Sequence, residues 1–403
     1  MKEKLFTKNF TLLVLGQVSS LFGNYILRLA LSMYVLDLTG SAAVFAGLLS
    51  AATIPTILLS PFGGTLADRM DRRNIMVALD AMTGIAVLGT ALFLTQQHAM
   101  IVIGALLVLL SVFGAFETPT VQACIPSMLT GDNIVRGNAV VNQTASISYL
   151  TAPLLGGILY AAIGLKPVMY ASVVSFFVTA LLECFIKLEY RPTGFQGKVF
   201  AVAKADFLDS VRFMGKERKD ILRILLLAAL SRFFVMGVTL VGLPFLVRTV
   251  LGLNATYYGA AESLLAVAVI VGSTLAGALA GKIKNGGLAP MLFAIGLCIV
   301  LAGFPFLLSA DAGVQYAVLV AAFCGMQIAI SMFSIYAVSM IQQSTPEQMI
   351  GKVMAYTSAI TLCAQPIGQM VYGFLFDGFC EAVWLVLIPT GAVVCGIGVA
   401  AKK

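Results

Sequence analysis

The chain has 403 residues, of which 60% are hydrophobic and only 11% are charged, and its formal net charge is +7. Soluble domains carry roughly 25% charged residues, so this composition excludes an ordinary water-soluble enzyme or binding domain. Apolar runs of about 20 residues or more follow one another along most of the chain, and a run of about 20 residues spans the hydrocarbon core of a bilayer as a helix. The sequence therefore predicts an all-α polytopic membrane protein whose surroundings are the lipid bilayer.

Twelve apolar runs are long enough to cross a membrane, and all but one of the connections between them are short. The predicted transmembrane helices cover about 10–37, 42–63, 75–96, 100–128, 135–161, 167–187, 222–248, 256–281, 288–309, 314–341, 352–376 and 381–401.

The long connection follows the sixth run. Within it, residues 199–216 place apolar side chains at helical spacing, which predicts an amphipathic helix on the membrane surface. The predicted domains are a six-helix bundle at 1–187, a cytoplasmic linker at 188–220 and a second six-helix bundle at 221–403.

A weak internal repeat supports this division. Residues 64–69 read GTLADR, and residues 277–282, which lie 213 positions later, read GALAGK. The second copy lacks the acid and most of the basic residues. Two pseudo-symmetric six-helix bundles are therefore expected.

The distribution of Lys and Arg sets the predicted orientation. With a cytoplasmic N-terminus, the inner segments hold 21 of these residues and the outer loops hold 2. This asymmetry follows the positive-inside rule and predicts cytoplasmic termini in a bacterial-type plasma membrane. It also explains the net charge without a nucleic-acid partner.

Metal and catalytic motifs are scarce. The seven cysteines lack metal-ligand spacing, and His98 is the only histidine in the sequence. No nucleotide-binding loop, G-x-S-x-G or HExxH motif is present, which argues against ATP-driven transport and against an enzyme. We expect no cofactor and no metal, and a non-transporting sensor or an intramembrane enzyme is the weaker alternative.

The stretch from Gly64 to Arg73 carries a Gly-x-x-x-Asp-Arg-x-x-Arg-Arg pattern. This pattern, with twelve spans and its decayed second copy, resembles the major facilitator superfamily. Residues 38–41, 130–139 and 345–353 resemble the subgroup that includes macrolide efflux proteins and the enterobactin exporter. The resemblance implies a monomer that moves a small molecule through a cavity lined by spans one, four, seven and ten.

A second resemblance lies in the fifth span, where residues 152–157 are similar to the antiporter motif of drug exporters and include Pro153, Gly156 and Gly157. The Arg that such drug/proton antiporters often carry in span four is absent from residues 109–114.

Ionisable groups inside spans are costly and therefore mark candidate sites. In span one, Gln17, Asn24 and Arg28 share one helical face, which predicts either a cavity lining or interhelical hydrogen bonds. The other deep candidates are Glu117 in span four, Arg232 in span seven and Glu262 in span eight, with Glu262 either a second titrating site or a partner of Arg28.

Glu117 and Arg232 lie at similar depth, about 16 Å from the inner end of each span. A pair that forms in one state and breaks in another would couple protonation of Glu117 to conformational change; a static structural pair is the alternative. Asp37, Asp80, Glu183 and Arg248 lie nearer to span ends, where we expect the side chains to reach the membrane surface.

The charged stretch between spans two and three is predicted to be a tight cytoplasmic turn that works as a conformational latch. Asp68 would meet the start of span eleven after the turn at Gly64, while Arg72 and Arg73 would pair with Asp71 or Asp80. The latch would stabilise the outward-facing state.

The sequence thus predicts a secondary-active exporter of a hydrophobic or amphipathic, drug-like small molecule, working by alternating access with the proton as coupling ion. A lysophospholipid or siderophore translocator of the same fold is the alternative.

Overall fold

The structure, a computed structural model, describes residues 5–188, 218–279, 288–346 and 350–402. Within these ranges, only the backbone is described for residues 60–69, 132, 219, 350–352 and 355–356. The predicted twelve long helices are confirmed. They are α1 Lys8–Thr39, α2 Ala42–Arg69, α3 Arg72–Phe93, α4 Ala99–Met128, α5 Asp132–Ile163, α6 Leu165–Cys184, α7 beginning with Lys219–Gly237, α8 Ala255–Ala278, α9 Leu288–Leu307, α10 Ala312–Ser344, α11 Ile350–Gly378 and α12 Trp384–Ala400.

The helices have the length and composition that a bilayer requires. Within the described residues, eleven are long and apolar enough to cross a membrane, and α12 is a shorter apolar helix of 17 residues. Helices suit this environment because each satisfies its backbone hydrogen bonds internally where no water is available. The amphipathic helix predicted at 199–216 lies outside the described residues.

Helix α7 changes its winding part-way through. After Lys219–Gly237 it continues as a π-helix over Val238–Gly242, a short α-helical piece over Leu243–Phe245 and a second π-helix over Leu246–Val250. Each π-helical segment widens the backbone hydrogen-bonded ring and is typically found at functional sites. The irregular half of α7 follows directly after the half that carries Arg232.

The turn between α2 and α3 is shorter than predicted. Residues 64–69 continue α2 as a helix, and only Met70 and Asp71 separate its end from the start of α3. The Asp71 side chain accepts a hydrogen bond from Arg73 N over 3.0 Å and caps α3. The tight turn predicted at Gly64–Arg73 is therefore wrong in its bounds, because the start of the charged stretch does not by itself end a helix.

Contacts divide the chain into two compact units. Unit 1 comprises Met1–Thr39, Ala51–Phe195 and Asn254–Ser263, and unit 2 comprises Gly40–Ser50, Gln196–Leu253 and Leu264–Lys403. Each unit thus consists mostly of one sequence half and includes one short segment of the other. The domain boundaries predicted at 187/188 and 220/221 stay a prediction, since residues 189–217 between them are outside the described part.

Hydroxyl groups hold α1 against α6 inside unit 1. Ser175 Oγ donates to the Ser19 carbonyl over 2.8 Å, and Thr179 Oγ1 donates to the Gly16 carbonyl over 3.2 Å. Where side chains this small face each other, two helices approach closely and hydrogen-bond across the contact.

Inside unit 2, Asp377 of α11 caps the start of α2. Its carboxylate accepts from Ser41 Oγ over 2.5 Å, from Ala42 N over 2.6 Å and from Ala43 N over 3.1 Å. The first N–H groups of a helix have no intrahelical partner, and the positive end of the helix dipole favours an anion. The carboxylate thereby joins two helices that are far apart in sequence.

Asp377→Ala is expected to lower stability by about 1–2 kcal/mol, because it removes a capping carboxylate from a helix start. Thermal unfolding of the purified protein in detergent measures the change. Asp311→Ala is the matched comparison, since Asp311 caps its own helix through one hydrogen bond, to Gly313 N. Equal melting temperatures for Asp377→Ala and the wild type would show that the cap between α11 and α2 contributes nothing.

Candidate functional site

The polar side chains of α1 reach α4 inside unit 1. Gln17 and Ser20 are buried, and further along the helix Arg28 Nε donates to Asn24 Oδ1 over 2.8 Å. Arg28 Nη2 also donates to Ser111 Oγ on α4 over 3.5 Å. The structure thus brings Arg28 and Asn24 together on α1 and places Arg28 against α4.

Glu117 of α4 lies beside the same polar stripe. Ser20 Oγ is 3.4 Å from Glu117 Oε1, and Arg28 acts on the Glu117 carboxyl electrostatically. Glu117 lies eleven residues before the end of α4, about 16 Å along the helix axis. Pro119 follows within the same helix and removes one backbone hydrogen bond from this turn. Glu117 is therefore an interior carboxyl group with a hydroxyl and a cation near it.

The expectation that Asp80 and Glu183 reach the membrane surface is wrong. Asp80 is 2% exposed and Glu183 is 0% exposed. Asp80 lies eight residues after the start of α3, about 12 Å along the axis, which its single methylene group cannot bridge. Glu183 is close to the end of α6, but α1 covers it: a Cβ on Gly16 would lie 3.7 Å from Glu183 Cγ.

Asp80, Glu183 and Glu117 form a connected set, which we call the carboxyl row. Ser20 Oγ donates to Asp80 Oδ1 over 2.9 Å, and the carboxyl groups of Asp80 and Glu183 face each other at hydrogen-bonding range. Asp80 Oδ2 and both carboxyl oxygens of Glu183 have no donor group as a partner. Unit 1 thus holds an interior row from Glu183 through Asp80 and Ser20 to Glu117.

The predicted pair of Arg28 and Glu262 is not formed. Glu262 Oε1 accepts instead from Tyr258 Oη on its own helix over 2.6 Å, and Arg28 donates to Asn24 and Ser111. Because Tyr258 lies one helical turn before Glu262, a local hydrogen bond satisfies this carboxyl group without a cation.

Pro153, Gly156 and Gly157 lie within α5, where its backbone closely approaches two other segments of unit 1. A Cβ on Gly157 would lie 2.4 Å from the Ala255 carbonyl oxygen, and one on Gly156 would lie 3.3 Å from Ile26 Cα. Such separations exclude any larger side chain at Gly157 without a backbone shift. The antiporter-like motif therefore has a packing role in this structure.

Side chains are described for only some of the predicted latch residues. Gly64 and Asp68 lie in the last turns of α2, and the contacts of the Asp68 side chain are outside the described part. Arg72 Nη1 donates to the Ala123 carbonyl over 2.8 Å and to Ser127 Oγ, and Arg73 Nη2 donates to the Cys184 carbonyl.

The predicted pairing of Arg72 or Arg73 with Asp80 is therefore wrong, because the side chain of Asp80 points to Ser20 of α1. Asp71 does interact with Arg73, but through the backbone N–H at the start of α3.

Arg232 lies in unit 2 and lines a cavity of about 320 Å³ between α7, α10 and α11. Its Nη2 donates to Gln365 Oε1 over 3.1 Å, while its Nε has no partner. Apolar groups such as Phe333 and Met236 line the cavity, and hydroxyl groups are contributed by Ser231, Ser334, Thr357, Ser358 and Thr361. The cavity suits a molecule with an apolar body and an acceptor group.

Among the described residues, no cluster of three or more His, Cys, Asp or Glu side chains could hold a metal ion. The family model of the Major Facilitator Superfamily matches residues 13–371. The chain belongs to this superfamily.

Individual proteins and solved structures similar to this chain match nearly its whole length. Macrolide efflux protein A of Streptococcus pyogenes is 22% identical over 387 residues, which are 94% of this chain and 92% of that protein. A bacterial homologue of the iron transporter ferroportin, solved in an inward-facing state, has a TM-score of 0.75 at 18% identity and covers 98% of both chains. A bacterial homologue of the human lysosomal transporter Spinster has a TM-score of 0.74 at 16% identity, over 98% of this chain and 95% of that one.

As a major facilitator superfamily member, the chain is a multi-span membrane transporter and not an enzyme, and its relatives include efflux proteins. The family signature at Gly64–Arg73 does not mark the carboxyl row. The sequence signal that could have found it is the depth of Asp80 in its helix, because a short acidic side chain so far from a helix end needs an interior partner.

Proposed function

We propose that this transporter exports a hydrophobic or amphipathic small molecule by alternating access, with protons moving in the opposite direction. The observation that carries the proposal is the position of Glu117, an interior carboxyl group hydrogen-bonded through Ser20 and close to Arg28. A carboxyl group shielded from water can exchange a proton when its surroundings change, which is what coupling to a proton gradient requires.

The cavity around Arg232 supports the choice of cargo. Its walls are largely apolar, while Arg232 and the hydroxyl groups offer hydrogen-bond donors. Because a guanidinium group at a largely apolar wall gains from an acceptor, an amphipathic cargo with an anionic or acceptor group fits better than a plain hydrocarbon. The similarity to macrolide efflux protein A supports the outward direction of transport.

The remaining features of the proposal follow from the same family and charge pattern. The transporter would act as a monomer in the bacterial plasma membrane, with both termini in the cytoplasm and without a cofactor. The residues Gly64, Asp68, Arg72 and Arg73 would form the latch that stabilises one state of the transport cycle.

Two measurements test this function. Cells that overproduce the protein are screened against a panel of antibiotics and dyes, and a compound with raised resistance is then used in proteoliposomes that contain a pH-sensitive dye. Proton release that depends on this compound supports antiport. Export that continues unchanged after the proton gradient is collapsed would contradict it, and a panel without any raised resistance would contradict the drug-like cargo.

A further inference from the structure

Asp80 and Glu183 form a buried pair that the transport mechanism above does not use. They come from different helices, α3 and α6, and both are almost fully shielded from solvent. Three of their four carboxyl oxygens have no donor group as a partner, although the two carboxyl groups face each other. A buried charged oxygen without a donor is strongly unfavourable, so two ionised carboxylates do not fit this arrangement.

A proton supplies the missing donor. If one carboxyl group is protonated, its O–H donates to the other group, and one proton joins two of the three oxygens that lack a partner. Two ionised carboxylates in this position would repel each other in a medium that screens charge poorly. We propose that Asp80 and Glu183 together bind one shared proton and pass it through Ser20 to Glu117. This proton-loading site rests on the proposed function for its role in transport.

The described charged groups around the pair do not take the place of the shared proton. Besides Asp80 and Glu117, the titratable side chain that acts on Glu183 is the thiol of Cys184, and the further charge that acts on Asp80 is that of Glu117. Glu183 in turn acts on the buried thiol of Cys124, as do Asp71 and Arg72. Arg28 acts on Glu117, whereas Arg72 and Arg73 at the start of α3 donate to Ala123, Ser127 and Cys184. None of these described contacts pairs a cation with Asp80 or Glu183.

Ser20 provides the connection to Glu117. Its single hydroxyl hydrogen is donated to Asp80 Oδ1 over 2.9 Å, and Glu117 Oε1 lies 3.4 Å from the same oxygen. When the hydroxyl turns to Glu117 and gives up its hydrogen, a proton from Asp80 replaces it. Asp80 loses one proton, Glu117 gains one, and Ser20 is unchanged at the end of the step. The pair is then doubly ionised, and the repulsion between its two carboxylates favours the binding of the next proton.

Infrared difference spectroscopy of the purified protein without cargo tests the site, with the proton itself as the probe. Protonated carboxyl groups have a carbonyl stretch that carboxylates lack, so this band should decrease when the pH is raised. The double variant Asp80→Asn/Glu183→Gln is expected to lack one component of the band and to release roughly one proton fewer per molecule. The single variant Asp80→Asn gives Glu183 an amide donor, and Glu183 should then appear as a carboxylate.

Glu381→Gln is the matched control, because Glu381 is exposed in the connection between α11 and α12 and should change neither the band nor the proton count. A double variant that keeps the full wild-type band would overturn the proposal, and so would an unchanged band in Asp80→Asn.

Transport measurements separate this inference from the proposed function. In proteoliposomes, Ser20→Ala should keep the infrared band but slow proton-driven export. If wild-type export ignores the proton gradient while the band still depends on Asp80 and Glu183, the proposed antiport fails and the proton site stands. If wild-type export is proton-driven but the two-residue variant matches it in both band and rate, the proton site fails and antiport stands.

Discussion

Replacing Glu117 with glutamine is expected to reduce proton-driven export at least about tenfold while substrate exchange without a gradient persists. Glutamine has nearly the shape of glutamate and can still accept from Ser20, so the hydrogen bond at 3.4 Å need not be lost. What it cannot do is bind and release a proton. The effect should therefore fall on the driven reaction and spare the conformational change that carries cargo across the membrane.

The measurement compares two assays on one preparation. Gradient-driven accumulation is recorded in proteoliposomes with a compound from the resistance screen, and equilibrium exchange of the same compound is recorded with no gradient. Glu381→Gln, a conservative change of an exposed acid, should match the wild type in both assays. Full gradient-driven accumulation by Glu117→Gln would remove Glu117 from the coupling mechanism.

The helices themselves were predictable, because lipid permits few alternatives to an apolar run of helical length. Their ends were less so. The helix α2 continues to Arg69, past the point where the charges begin, and the π-helical segments of α7 have no signal in the sequence. Helix ends depend on capping and on local packing, and the sequence signals for capping that the structure bears out are single residues such as Asp71 before α3 and Asp311 before α10.

The site was predictable where its residues share a helix. The spacing of Asn24 and Arg28 on α1 placed them together, and the structure joins them by a hydrogen bond. The pairing of Asp80 with Glu183 depends instead on α3 and α6 being neighbours under α1, and helical periodicity within one span does not say which helices pack together. For the same reason, the partners of Arg72 and Arg73 on α4 and α6 could not be foreseen.

Arg232→Gln is expected to weaken the binding of an anionic amphiphile by roughly 10- to 100-fold, since a hydrogen bond to a charged group contributes about 1.5–3 kcal/mol. In the cavity of unit 2, Arg232 uses Nη2 for Gln365 and keeps Nε unpaired. Titration with fluorescent dansyl-undecanoic acid and with its methyl ester measures the effect. The acid should lose affinity in the variant, whereas the uncharged ester should lose little.

The control for this change lies on the same helix. Arg223 is exposed and donates to the carbonyl oxygens of Ala400 and Ala401 at the end of α12, so Arg223→Gln should bind acid and ester as the wild type does. Arg232→Lys keeps the positive charge but not the planar guanidinium group. If its affinity for the acid lies between those of the wild type and Arg232→Gln, the charge and the guanidinium geometry both contribute to binding. An unchanged ratio of acid to ester affinity in Arg232→Gln would mean that the guanidinium does not face the cargo, and the preference for an acceptor group would then have no support in this cavity.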